Sequence, residues 1–124
     1  MTETLDRIKV LIVEDSPDQR LLFRRYFEKA GCDVQVAGSA EEAIVLYEGV
    51  VPELVVVDLV LPGMDGFEFA LRVRADVPDC TLVITSVLNV EDFPAADAVL
   101  PKPVTARHVR DVLRECIPAW RDPR

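Results

Sequence analysis

At 124 residues the chain has the size of one domain with room for a full core, and half apolar with 29% charged residues is a globular composition, not a disordered one. A net charge of −8 excludes a general nucleic-acid binder, whose phosphate contacts need lysine and arginine. No apolar run approaches membrane-spanning length and the opening MTETLDRIKV lacks a charged-then-apolar signal segment, so a soluble, cytoplasmic protein without membrane or nucleic-acid partners is expected. The three cysteines, Cys32, Cys80 and Cys116, are widely spaced and form no C-x-x-C pair; they read as free thiols of a reducing compartment.

The first predicted element is the β-branched run IKVLIV, Ile8 to Val13, which stops at Glu14-Asp15. A helix follows in SPDQRLLFRRYFEKAG, with Ser16 as N-cap, Pro17 at the first helical position and Gly31 as the stop. Its buried stripe is Leu22, Phe23, Tyr26, Phe27 and Ala30, while Arg20, Arg24 and Arg25 are expected on its exposed side. DVQVA is a short second strand, and SAEEAIVLYEG a second helix with Ser39 and Glu42 at capping-box spacing. ELVVVD, ending at Asp58, is an unbroken apolar run of the kind buried on both faces. A third helix is expected from about Gly66 to Ala75, a fourth strand in CTLVIT, a fifth in DAVL, and a last helix from about Thr105 to Ile117, stopped by Pro118.

Alternation of this kind predicts an α/β fold, a doubly wound parallel sheet of five strands with helices on both faces, as one domain over 1–124 with a core of about 7–117 and a tail of 118–124. Such sheets carry their functional groups at the carboxyl ends of the strands, near the point where strand order reverses. That edge collects Glu14, Asp15, Asp58, Thr85 and Lys102. Taken singly, Asp58 also suits a turn cap and Lys102 a solvated loop lysine. Together they suggest chemistry. Converging carboxylates repel unless a cation joins them, and an oxygen-only set suits Mg2+, which keeps waters that a phosphate can replace. Lys102 and Thr85 are then a point charge and a hydrogen-bond donor for phosphoryl oxygens, leaving Asp58 as the in-line nucleophile. Asp65 reads as a cap of the third helix, and His108 as a solvent-facing residue.

Over essentially its whole length the chain resembles the receiver domain of bacterial two-component response regulators. The residues that carry the resemblance are Glu14-Asp15, Asp58 with Pro62-Gly63-Met64-Asp65-Gly66 behind it, Thr85-Ser86, and Lys102-Pro103. The resemblance implies a flavodoxin-like strand order of 2-1-3-4-5. It implies phosphorylation of Asp58 by a sensor histidine kinase or phosphotransfer protein, and Mg2+ among Glu14, Asp15, Asp58 and the backbone carbonyl of Val60. It also implies a cis peptide between Lys102 and Pro103.

Three rivals fit less well. A haloacid-dehalogenase-like phosphatase would need a second acid where Val60 stands, and a flavodoxin-like or dinucleotide-binding module a Gly- or Ser/Thr-rich phosphate loop where EDSPDQ stands. The remaining alternative is a receiver-shaped interaction module that does not signal by phosphate. Two departures from the family stand out. Only 16 residues separate Thr85 from Lys102, so the fourth helix of a receiver is expected to be shortened or missing. Val99 occupies the place, three before the lysine, of an aromatic switch residue, and a monomer is expected. With no second domain in the sequence, the expectation is a stand-alone switch whose output runs through a target protein. The arginines of the first helix are a candidate kinase-docking surface, and the role of Trp120 stays open.

Overall fold

In the computed structural model, residues 7–61, 63–64, 66–86 and 96–123 are described. The elements follow the predicted alternation: β1 (Lys9–Val13), α1 (Pro17–Lys29), β2 (Asp33–Ala37), α2 (Ala40–Gly49), β3 (Leu54–Asp58), α3 (Gly66–Asp76), β4 (Thr81–Ser86), β5 (Ala98–Pro101) and α4 (Ala106–Cys116). All strand pairs are parallel and the order is β2-β1-β3-β4-β5, as expected. The segment in which a shortened or missing helix was expected lies on 87–95, outside the described residues. Among the described residues the sheet carries four helices.

Alternation along each strand divides the core in two. On one face Val10 and Ile12 of β1, Leu54 and Val56 of β3, and Val83 of β4 pack with Phe23 and Phe27 of α1 and Val109 and Leu113 of α4. On the other, Leu11, Val13, Val55, Val57, Leu82 and Ile84 pack with Ala43 and Tyr47 of α2 and Phe69 and Val73 of α3. A strand covered on both faces has no polar side to show, which is why LVVVD reads as a continuous apolar run.

The helix ends form as their sequences dictate. The hydroxyls of Ser16, Ser39 and Thr105 accept from the backbone N–H of Gln19, Glu42 and His108. The expected reciprocal bond of Glu42 goes to the N–H of Gly38 at 2.7 Å, one residue before the cap. Phe23, Phe27 and Ala30 are buried as predicted, whereas Leu22 and Tyr26 are half-buried. Burial pushes the Cys32 thiol up to about 12 and the Cys80 thiol up to about 11, so both are neutral core residues without nucleophilic character.

Trp120 is buried in the α1–α4 core, and its indole N–H donates to the carbonyl of Ala30 at 2.8 Å, joining the C-terminal segment to the end of α1. Among the described residues no helix is long and apolar enough to cross a membrane.

Candidate functional site

Register assembles the site. Val13 is opposite Val57, Asp58 opposite Thr85, and Ser86 opposite Pro101, so Glu14, Asp58, Thr85 and Lys102 all fall at the carboxyl edge of the sheet. The order reverses between β1 and β3, and the crevice outside those two ends is where a doubly wound sheet binds its ligand. Among the described residues, the buried polar or charged side chains are Glu14, Asp58 and Thr85. All three belong to this edge. A core that admits polar groups in one place only has them there for a reason other than stability.

Carboxylate oxygens of Glu14, Asp15 and Asp58 lie within 4.8 Å of one another. Lys102 reaches in from just beyond β5, its Nζ 2.7 Å from Asp58 Oδ2 and 3.4 Å from Glu14 Oε1. It is therefore not a solvated loop lysine. The peptide between Lys102 and Pro103 is cis, as the resemblance implied. The other oxygen of Asp58, Oδ1, accepts the N–H of Val60 at 2.9 Å, and Glu14 Oε2 accepts the N–H of Ser16 at 3.1 Å. Thr85 Oγ1 is buried and has no hydrogen-bond partner among the described residues. Leaving a hydroxyl unpaired in the core is costly, so this oxygen calls for a partner beyond the described residues.

The electrostatics follow from this crowding. Burial pushes the Glu14 carboxyl above its ordinary value. The neighbouring Asp58 charge adds to that push, while the Ser16 N–H and Lys102 oppose it. Burial pulls Lys102 the other way, toward the neutral form. The hydrogen bond to Asp58 and the charges of Glu14 and Asp58 outweigh that pull, so its pKa rises and it stays an ammonium.

A hard divalent cation fits this donor set: three clustered carboxylates, no nitrogen or sulfur ligand among the described residues, and more negative charge than one ammonium offsets.

The structure brings together the predicted Glu14, Asp15, Asp58, Thr85 and Lys102. Val60 lies beside them, exposed, with its N–H committed to Asp58. Pro62 and Asp65 lie outside the described residues. Two expectations are corrected. His108 is half-buried, with Nδ1 shielded, because its turn of α4 lies close against the domain. Arg20 is not a free surface arginine: its Nη1 donates to the backbone carbonyls of Glu14 at 3.0 Å and Asp15 at 3.4 Å.

Sequence reasoning also passed over what Gly66 does. A Cβ there would lie 2.3 Å from Leu59 Cα and 2.6 Å from the Asp58 carbonyl oxygen, so α3 begins in backbone contact with the end of β3. Only the glycine itself, eight residues after the end of a strand, signalled this.

Such an edge, three acids with a lysine and a buried hydroxyl on a 2-1-3-4-5 sheet, defines a class. The chain belongs to the response regulator receiver domain family, whose model matches residues 10–114. It is 41% identical over 97 residues to an uncharacterised 14.6 kDa protein encoded in the sodA1 3′ region of Leptolyngbya boryana, covering 76% of this chain and 74% of that one. It is 35% identical over 113 residues to the transcriptional regulatory protein TrcR of Mycobacterium tuberculosis, covering 86% of this chain and 44% of that one. The chain thus spans less than half of that regulator. Among solved structures, the response regulator TrrA of Thermotoga maritima in complex with Mg2+-BeF matches with a TM-score of 0.79. That match covers 87% of this chain and 97% of the other at 22% identity, a likeness of fold.

Proposed function

We propose that this chain is a phosphorylatable signalling switch in which Asp58 takes a phosphoryl group from the phosphohistidine of a sensor histidine kinase or phosphotransfer protein. A carboxylate oxygen of Asp58 attacks phosphorus, the P–N bond breaks, and the imidazole leaves with its electron pair to take up a proton. Lys102 stays charged and pairs with phosphoryl oxygens as it now pairs with Asp58, and the Thr85 hydroxyl donates to another. Glu14, Asp15, Asp58 and the Val60 carbonyl would hold Mg2+, which neutralises charge that develops on the phosphoryl oxygens. Output would run through contacts with a target protein. The observation that carries this reading is the confinement, among the described residues, of buried polar or charged side chains to one edge, with carboxylates within 4.8 Å of each other and a lysine 2.7 Å from Asp58.

Incubation with Mg2+ and acetyl phosphate tests it directly. Intact mass should show one phosphoryl group added to the wild type, none to Asp58→Asn, and none after chelation of the metal. An equal gain on Asp58→Asn would remove Asp58 from the role.

A further inference from the structure

Arg20 sits one turn into α1, half-buried, and its guanidinium is spent on the turn that carries two of the three acids. One nitrogen, Nη1, donates to the peptide oxygens of both Glu14 (3.0 Å) and Asp15 (3.4 Å). A charged donor on a carbonyl makes one of the stronger hydrogen bonds available to a protein. Bonding two successive carbonyls restrains the orientation of the peptide between them, and with it the directions in which both side chains leave the backbone.

The guanidinium also has a seat. In the turn between β2 and α2, a Cβ built on Gly38 would stand 2.9 Å from Arg20 Nη1 and 3.7 Å from its Cζ. Any side chain at 38 would push against the arginine where it holds the acidic turn. Gly38 is itself fixed, its N–H donating to Glu42 Oε1 at 2.7 Å. The neighbouring Ala37 carbonyl accepts the N–H of Glu14 at 3.0 Å. The acidic turn is thus braced from β2 by one backbone bond and by an arginine lodged over a glycine.

We propose that Arg20, seated against Gly38, is a positioning residue for the divalent-cation site: it presets Glu14 and Asp15 without touching the cation or the phosphoryl group. The inference rests on the cation site of the proposed function. A site with few protein ligands depends on how well those ligands are held before the ion arrives. Loss of a supporting hydrogen bond behind a metal ligand typically costs about 10- to 100-fold in affinity.

Calorimetric titration with Mg2+ of the wild type, Arg20→Ala, Arg20→Lys and Gly38→Ala tests this, with a urea transition recorded for each. Arg20→Ala should weaken Mg2+ binding by about 10- to 100-fold. Gly38→Ala, which leaves every charge in place, should weaken it by a smaller factor, and Arg20→Lys should recover part of the loss. In the acetyl phosphate reaction the half-saturating Mg2+ concentration should rise while the rate at saturating Mg2+ stays near that of the wild type. A purely structural arginine would shift the urea midpoint without this split. Should Arg20→Ala fold poorly, Gly38→Ala carries the same comparison. A wild type that binds Mg2+, beside Arg20→Ala and Gly38→Ala of equal affinity, overturns the positioning role alone. A wild type that binds no Mg2+ overturns the cation site and this inference with it.

Discussion

Gly66→Ala concentrates the packing of this fold into one methyl group. The added Cβ would lie 2.3 Å from Leu59 Cα, 2.6 Å from the Asp58 carbonyl oxygen and 2.8 Å from the Leu59 carbonyl carbon, where ordinary contact begins at 3.4 Å. All three are backbone atoms, so no side chain can rotate aside, and α3 must retreat from β3 by about 1 Å. Overpacking against a rigid core costs about 1–3 kcal/mol, and the rigid neighbours put this site at the upper end. The retreat also strains the bond from Gly66 N–H to the Leu59 carbonyl, now 3.1 Å, worth about 1 kcal/mol. Alanine returns up to about 1 kcal/mol through its helix propensity. The net expectation is a loss of about 3 kcal/mol, a urea midpoint lower by about 2 M at a slope of ~1.5 kcal/mol per M. Because α3 follows directly on the loop behind Asp58, and the Asp58 carbonyl is one of the atoms it is pushed from, phosphorylation should slow as well, by up to about 100-fold where the misplacement of about 1 Å is passed on to Asp58. The control is Gly49→Ala, which meets nothing within 4 Å at the end of α2 and should be neutral to about 1 kcal/mol stabilising. A Gly66→Ala protein within about 0.5 kcal/mol of the wild type would refute the close approach of α3 to β3.

Glu14→Gln should stabilise the metal-free protein near neutral pH. The folded Glu14 carboxyl is raised, chiefly by burial, so its stabilising contribution is full below the unfolded carboxylate range and lost as pH rises through the raised value. Urea transitions at about pH 4 and about pH 7 should show the advantage of glutamine at the higher pH only. Mg2+ at about 100 times its Kd should add about 2.7 kcal/mol to the wild type and less to the variant, reversing the order. Val60→Asn should shorten the lifetime of phosphorylated Asp58 in a decay assay: Val60 is 62% exposed two residues after Asp58, and a valine there can neither orient nor activate water. An unchanged decay rate would count against that reading. Trp120→Phe should cost about 1 kcal/mol in urea denaturation through loss of the 2.8 Å bond to the Ala30 carbonyl, and a variant as stable as the wild type would show the bond to be dispensable. With beryllofluoride as a phosphate mimic, light scattering should report a monomer in both states, since Val99 on β5 has no ring to swing inward; a mimic-induced dimer would contradict this.

Much of this was readable from short-range pattern. Apolar runs of five or six residues ending in an acid or a hydroxyl, separated by capped helices, specify parallel strands and the edge at which their ends meet. Glu14, Asp15, Asp58, Thr85 and Lys102 were named as a set because each directly follows or closes a strand. The errors fall on helix surfaces. Arg20 looked exposed because α1 by itself has no way to show that the β1–α1 turn offers two carbonyls to that side chain and that Gly38 leaves the space. His108 looked solvent-facing for the same reason, the packing of its helix being invisible to periodicity.

The sequence by itself determined the class of fold, the order of its elements and the residue types at the functional edge. Periodicity, caps and glycine stops act over a few residues and leave a direct trace in composition. Tertiary structure alone decided that Lys102 bridges Asp58 and Glu14 from 44 and 88 residues away, and that the buried Thr85 hydroxyl has no partner among the described residues. It alone brought Gly66 into backbone contact with Leu59 and bonded Trp120 to Ala30 across 90 residues. Those contacts depend on strand register and on the distance at which helices seat on the sheet. Both are set by packing the whole core at once, and no local stretch of residues encodes them.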